Sequence, residues 1–382
     1  MSQDGANGHR SPLRVLYVLD HARTVGGAER FVAGLATNVP RDKVEPWVCS
    51  TRYGHHPAVA QLAAAGVPHV SLGRTRTWQL QRFFPLVRLL RRKRFDVVHA
   101  NMFGSNLWGT LLGRACRVPV VLAHEHTWSF AGDWLRMWLD RHVIARLATR
   151  LIAVSEADRE RMIAIEGVPA EKIVVMPLAH VPHSDPTTGD IRAELGLEKN
   201  TPLIAVAAVM RPQKALQVML DAHAILLDRV PDAHLAIAGD GPCRAPLEEH
   251  INRLGIGNFV HLLGIRQDVD AILRAADVAA MSSDFEGVPL FALECINAGT
   301  PLVATAVGGL PEVIDEGRTG LLVPPRDPAA LARAIVRVLT DRPLALTLAD
   351  ALGHQRDDIS LESVARRFAE LYEELVTEAK AA

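Results

Sequence analysis

The 382-residue chain is short of several things, and each shortage removes a class of protein. It holds four cysteines, Cys49, Cys116, Cys243 and Cys295, and none forms a C-x-x-C pair. That spacing argues against a disulfide scaffold or a zinc ribbon, and the thiols read as buried groups in a reducing compartment. No apolar run is longer than the stretch from Leu203 to Met210, far short of the ~20 residues that cross a bilayer. The opening MSQDGANGHRSP lacks the apolar centre of a signal peptide and reads as a loose tail. Neither sign of charge dominates: 42 Lys and Arg face 43 Asp and Glu, for a net charge of -1. A globally basic nucleic-acid binder is therefore disfavoured. What remains is ordinary globular composition, 49% hydrophobic and 22% charged. The expectation is a cytoplasmic protein, soluble or peripheral at the inner face of the plasma membrane.

Short apolar runs alternate with helical patterns from end to end. In the first half, strands are expected near 14–19, 45–49, 69–72, 97–99, 120–122, 151–154 and 173–176. In the second half they are expected at 203–208, 235–238, 259–262, 278–281, 302–304 and 320–323. Helices fall between them, for example at 28–38, 80–93, 105–115, 156–166, 216–228, 246–254 and 288–298. Such alternation predicts parallel sheets covered by helices on both faces. So many strands exceed one open sheet, so the fold class expected is α/β with two doubly wound, Rossmann-like domains. A tail at 1–12 precedes an N-terminal domain at 13–180. A linker at 181–190 lies within the Pro-, His- and Thr-rich PLAHVPHSDPTTGD, a C-terminal domain spans 191–360, and a last helix at 361–382 packs back on the N-terminal domain. Ligands of open α/β sheets bind at the carboxyl ends of the strands. Chemistry is therefore expected in strand-to-helix loops, facing a cleft between the domains.

Three segments stand at such positions. After the first strand, Gly26 and Gly27 precede Ala28-Glu29 at a helix start, where a bare backbone and helix N–H groups suit an anion. A nicotinamide dinucleotide fingerprint would need G-x-G-x-x-G, and HARTVGGAERF does not supply it. After the strand LIAVAA comes Val209-Met210-Arg211-Pro212-Gln213-Lys214, whose cations can neutralise a diphosphate. After VAAMSS comes the strongest signal, Asp284-Phe285-Glu286-Gly287-Val288-Pro289-Leu290-Phe291-Ala292-Leu293-Glu294. It places two carboxylates eight residues apart around a helix start, with Pro289 in the first turn. Spaced along one helix they would lie about 12 Å apart, enough to reach a sugar and a ribose across a diphosphate. The alternative is that Glu286 complements the helix dipole and Glu294 is a solvated residue.

Taken in order, GGAE at Gly26–Glu29, RPQKAL at Arg211–Leu216, GDGP at Gly239–Pro242, the E-x7-E of Glu286 and Glu294, and GGLPE at Gly308–Glu312 resemble the retaining glycosyltransferase family 4, of GT-B fold. The resemblance runs over about residues 13 to 375. It implies a nucleotide-diphosphate-sugar donor, with Lys214 on the diphosphate, Glu286 on the transferred sugar and Glu294 on the ribose hydroxyls. Gly26, Gly27, Gly287, Val288, Pro289 and Leu290 would complete the donor site. The family commonly has an arginine about five residues before the lysine. Here that position is Val209, and Arg211 is the nearest substitute. The family's P-N-G after the last N-terminal strand is replaced by Pro177-Leu178-Ala179. The resemblance further implies that no metal or other cofactor is required, and that the acceptor attacks on the face the diphosphate leaves.

Three more segments bear on the acceptor side. In Val120-Val121-Leu122-Ala123-His124-Glu125-His126-Thr127, the family often places a site histidine; His126 is favoured and His124 is the alternate. H-E-H lacks the i, i+4 spacing of a zinc-binding helix, so a metal is disfavoured. From Arg74 to Arg94 the basic residues Arg74, Arg76, Arg82, Arg88, Arg91, Arg92, Lys93 and Arg94 interleave with Trp78, Phe83, Phe84 and leucines, and no acid intervenes. Such a helix suits an anionic bilayer surface, or packs with its basic face in water; nucleic acid is the weaker reading, since no binding module accompanies the charges. WSFAGDWLRMW at Trp128–Trp138 would touch a lipid-linked acceptor or join the core. The acceptor expected is a bacterial polysaccharide or lipid-linked glycan, with a soluble small molecule second. A GT-B sugar-nucleotide epimerase and a non-catalytic nucleotide-sugar-binding protein are the competing classes.

Overall fold

The computed structural model describes residues 11–20, 27–52, 57–76, 79–126, 133–182 and 189–381. Seven strands build the first sheet: β1 (Leu13–Leu19), β2 (Val44–Arg52), β3 (His69–Arg74), β4 (Val97–Asn101), β5 (Val120–His124), β6 (Arg150–Ala153) and β7 (Ile173–Val175). Their order is β3-β2-β1-β4-β5-β6-β7, and every pair is parallel. Six strands build the second: β8 (Leu203–Ala207), β9 (His234–Ala238), β10 (Val260–Gly264), β11 (Val278–Met281), β12 (Leu302–Thr305) and β13 (Gly320–Val323). Their order is β10-β9-β8-β11-β12-β13, again all parallel. Strands buried on both faces need apolar residues at every position. Val15, Leu16, Tyr17 and Val18 of β1, like Leu203, Ile204 and Ala205 of β8, are therefore fully buried.

The chain forms two compact units. One comprises Met1–Ala153, Arg159–Met176 and Leu361–Ala382; the other comprises Val154–Asp158 and Pro177–Ser360. In the second unit two apolar clusters cover the two faces of the sheet. One gathers Ile204, Val206, Leu235 and Ile237 with Met219 and Leu220 of the helix Leu216–Leu227; the other gathers Ala205, Ala279 and Met281 with Phe291 and Ala292. In the first unit the closing helix Leu361–Ala381 lies against the helix Gly27–Asn38 and β5. Ion pairs Lys43–Glu373 (2.9 Å) and Arg150–Glu378 (3.2 Å) flank it. All four cysteines are free thiols.

Several helices depart from the sequence expectation, among them two that carry residues singled out above. The stretch at 80–93 divides into a 3-10 turn, Leu80–Phe83, and an α-helix, Phe84–Lys93, with Pro85 in its first turn. The helix expected from 288 begins only at Leu290, as Leu290–Ala298. The tail at 1–10 and the linker core at 183–188 lie outside the described residues.

Candidate active site

In the second sheet the chain order reverses at β8 and β11, which are paired at the centre with β9 beyond one and β12 beyond the other. Ligands of such sheets sit at the strand ends of this switch point. The loops leaving these two strands carry the cationic and the acidic motif. Lys214 ends a 3-10 turn, Pro212–Lys214, and its Nζ lies 2.5 Å from Glu286 Oε1. Ser283 Oγ donates to the same oxygen at 2.6 Å. Glu286 is 4% exposed. A carboxylate taken so far from water needs an opposite charge and hydrogen bonds around it, and these two neighbours provide both. The loops are also stitched through their backbones. Gln213 Nε2 donates to the Phe285 carbonyl (3.0 Å), the Asp284 N–H donates to the Gln213 carbonyl (2.9 Å), and Ser282 Oγ donates to the Lys214 carbonyl (3.0 Å).

The remaining motifs of this unit brace those loops. Gly239, at φ +133, presses on the loop after β8: a Cβ there would stand 1.9 Å from the Ala208 carbonyl oxygen. Gly308, at φ +54, does the same for the acidic loop, with 1.8 Å between such a Cβ and the Glu286 carbonyl oxygen. The neighbouring Gly309 N–H donates to the Gly287 carbonyl at 3.0 Å. The glutamate of GGLPE, Glu312, caps the helix Glu156–Arg161: its carboxylate accepts from the N–H groups of Glu156 and Ala157, each at 2.8 Å.

This bracing overturns one expectation. Glu286 and Glu294 do not lie along one helix. Pro289 is the residue before the helix, extended at ψ 132, and Glu286 sits in the loop ahead of it. The 12 Å helical separation therefore does not apply. Gly287, held by Gly309, and the buried Val288 form a bend between Glu286 and Pro289. With no side chain capping the helix, the Leu290 and Phe291 N–H groups open its first turn. Glu294 is on the helix and 4% exposed, which removes the solvated reading. Arg211 is exposed and extended, at φ -120 and ψ 157, just before the turn that carries Lys214. Outside this group, Arg326 grips both oxygens of Asp284, at 2.9 and 3.0 Å.

In the first unit the histidines of H-E-H are both buried. His124, the last residue of β5, is 0% exposed, and His126 is 8% exposed. Their rings stack with centroids 4.1 Å apart. His126 Nε2 lies 2.9 Å from Asn101 Oδ1, and His124 Nδ1 lies 3.1 Å from His99 Nε2. His99 Nδ1 in turn lies 2.7 Å from the hydroxyl of Tyr372, which donates to Tyr17 Oη at 3.2 Å. Phe31 and Phe368 pack edgewise or tilted on the rings. Burial holds the rings neutral: His99 and His126 are pushed down to about 3, and His124 well below its ordinary value. Among the described residues, no group of three or more His, Cys, Asp or Glu is placed to hold a metal ion.

Gly27 opens the helix Gly27–Asn38, whereas Gly26 lies outside the described residues, as do 127–132 of the tryptophan-rich stretch. Sequence reasoning missed Ser283, Asn101, His99 and Tyr372. Two of these left a signal: in the strand VVHAN of β4, His99 and Asn101 are polar at a spacing of two, on one face of a buried strand. Tyr372 left none.

Residues 201–341 match the family described as glycosyl transferases group 1, and residues 25–179 match glycosyltransferase family 4. A D-inositol 3-phosphate glycosyltransferase of Corynebacterium kroppenstedtii is 31% identical over 306 residues, covering 74% of this chain and 68% of the relative. The Escherichia coli UDP-Gal:alpha-D-GlcNAc-diphosphoundecaprenol alpha-1,3-galactosyltransferase is 27% identical over 278 residues, covering 69% and 72%. Among solved structures, HepE of Anabaena in complex with UDP-glucose superposes with a TM-score of 0.82 at 22% identity, covering 95% of this chain and 100% of HepE, and has the same fold. With two Rossmann-like sheets of GT-B type, the cation–carboxylate pair at a switch point and these matches, the chain is an enzyme, a glycosyltransferase, and belongs to glycosyltransferase family 4.

Proposed function

We propose that this enzyme transfers a sugar from a nucleotide-diphosphate sugar to a glycan or lipid-linked acceptor, with retention at the anomeric carbon and without a metal, in bacterial polysaccharide or lipid-linked glycan synthesis. The carrying observation is the Lys214–Glu286 pair at the β8/β11 switch point. Breaking the anomeric bond builds positive charge on the sugar and negative charge on the departing diphosphate. Fixed donors at the leaving group lower that barrier. Lys214, Arg211 and the Leu290 and Phe291 N–H groups are those donors, Glu286 orients the sugar hydroxyls, and Glu294 takes the ribose. The acceptor hydroxyl bonds to C1, its proton passes to the leaving diphosphate, and the products are a glycoside and a nucleoside diphosphate. Within the first unit, His126 is read as the site residue.

The test is direct. Purified protein is titrated with a panel of nucleotide sugars, and transfer is then measured to membrane extract and to soluble acceptors. Lys214→Ala is expected to weaken donor binding and to lower transfer by at least about 100-fold; unchanged turnover overturns the assignment. A soluble acceptor is the second reading, supported by the inositol phosphate in the name of the Corynebacterium relative. Transfer to soluble acceptors alone would favour it.

We further propose that the first unit meets an anionic bilayer from the cytoplasmic side. Supporting this, the helix Phe84–Lys93 buries Leu86 and Leu90 while Phe84 is 69% and the preceding Leu80 54% exposed. Arg82, Arg88, Arg91, Arg92, Lys93 and Arg94 are exposed around them. Trp134, Leu135 and Trp138 are further exposed apolar residues of this unit. Arg74 is not part of the basic face: it is buried, with its guanidinium 4.3 Å from the Phe83 ring centroid. Among the described residues no helix is long and apolar enough to cross a membrane.

A further inference from the structure

Among the described residues, two ring nitrogens in the first unit have no partner although both are buried: His124 Nε2 and His126 Nδ1. The hydrogen bonds around them determine which protons they carry. Asn101 Nδ2 donates to the His99 carbonyl at 3.0 Å. Its Oδ1 is therefore the atom that meets His126 Nε2, and it can only accept, so His126 carries its proton on Nε2 and Nδ1 is bare. The second chain starts at the closing helix. The Tyr372 hydroxyl gives its proton to Tyr17, so its oxygen accepts from His99 Nδ1–H. A neutral His99 then has a bare Nε2, which accepts from His124 Nδ1–H, and a neutral His124 is left with a bare Nε2. Both rings of the stacked pair end with a lone pair free. A buried acceptor without a donor costs free energy, and a hydroxyl is the group that satisfies it while leaving the imidazole neutral.

We propose that Asn101 and Tyr372 are positioning residues: they fix the tautomers of His126 and His124 so that each offers a bare nitrogen to an acceptor hydroxyl. The inference rests on the reading of His126 as a site residue. Its structural half concerns the tautomers and can be judged without any transfer assay. Tyr372 acts from a helix 273 residues beyond His99 in sequence. That helix is thereby a working part of the histidine site as well as a packing element.

The experiment uses the full chain labelled with 15N-histidine. Ring-nitrogen shifts separate protonated from bare nitrogens, and His124→Gln and His126→Gln spectra assign the signals. Wild-type protein is expected to give Nε2–H for His126 and Nδ1–H for His124. Asn101→Ala is expected to convert His126 to a mixture of tautomers, and Tyr372→Phe to do the same for His99 and His124. In both variants kcat is expected to fall about tenfold with the donor KM unchanged. Tyr372→Phe removes one oxygen and keeps the ring, so it guards against a folding defect in Asn101→Ala. Reversed tautomers in the wild type, or tautomers indifferent to both substitutions, would overturn the proposal. Scrambled tautomers with unchanged kcat would overturn the link to the reaction. If no donor supports transfer at all, the spectra still decide the tautomers, and the loss falls on the glycosyltransferase chemistry.

Discussion

Ser283 Oγ and Lys214 Nζ converge on one oxygen of Glu286, at 2.6 and 2.5 Å. Ser283 is itself 1% exposed, and its carbonyl accepts from Thr305 Oγ1 at 2.7 Å. A hydrogen bond to a charged group is worth about 1.5–3 kcal/mol. Ser283→Ala is therefore expected to destabilise the fold by about 1.5–3 kcal/mol and to lower kcat/KM by about 10- to 100-fold. Steady-state kinetics beside urea denaturation would check this; wild-type kinetics would exclude the serine from the site.

Gly308 tests the bracing of the acidic loop. An alanine there would need both a left-handed backbone and 1.8 Å of space that the Glu286 carbonyl already fills. Gly308→Ala is expected to cost roughly 2 kcal/mol or more and to remove transfer. The readouts are the denaturation midpoint and donor binding by calorimetry. Wild-type values for both would mean that the two loops are not in contact.

Asp140 and the buried histidines pull stability in opposite directions with pH. Asp140 is 2% exposed, and burial, then the charge of Glu166, raises its carboxyl to about 8. The folded state thus holds a proton that the unfolded state releases above about pH 4, so this contribution is lost as pH rises from about 4 to 8. His99 and His126, lowered to about 3 by burial, act the other way: the unfolded chain takes up protons below about pH 6.5, and stability falls from there towards pH 3. Asp140→Asn is expected to raise the urea midpoint at pH 8 and to leave it nearly unchanged at pH 4. Equal midpoints of variant and wild type at pH 8 would show that the acid is not perturbed.

The bilayer surface can be tested on residues far from the donor loops in sequence. Each basic residue near an anionic surface contributes about 1 kcal/mol. Replacing Arg88, Arg91 and Arg92 by Gln should lower sedimentation with anionic vesicles by at least about tenfold, and Phe84→Ser should lower it further. Neutral vesicles serve as the control. Equal, negligible binding of the wild type to both vesicle types would remove the membrane proposal.

The strands were legible because each is a short apolar run bounded by turn residues. Val278–Met281 and Gly320–Val323 have the expected bounds, and each other strand differs by a residue or more at one edge or both. The places of Lys214 and Glu286 were legible because charged residues stand in the loops where buried strands end, and Glu294 because it follows Glu286 at a spacing of eight. The start of the following helix was not, because a proline is equally at home before the first turn and within it. Its extended ψ of 132 goes with a hydrogen bond from Gly309 to Gly287, beyond any local pattern. The tautomers of the paired histidines were hidden for the same reason, since His99 and Tyr372 meet only after the closing helix docks.

The sequence by itself determined two parallel sheets, the positions of the cationic and acidic loops, and the membership of the chain in its family. Period, polarity and glycine placement are local properties and survive being read along a line. Only the tertiary structure decided that Lys214 and Ser283 share one oxygen of Glu286, that Arg74 lies buried against Phe83, and which ring nitrogens of His124 and His126 lack a partner among the described residues. Such facts depend on groups brought within about 3 Å by packing, and no spacing rule along the chain carries that information.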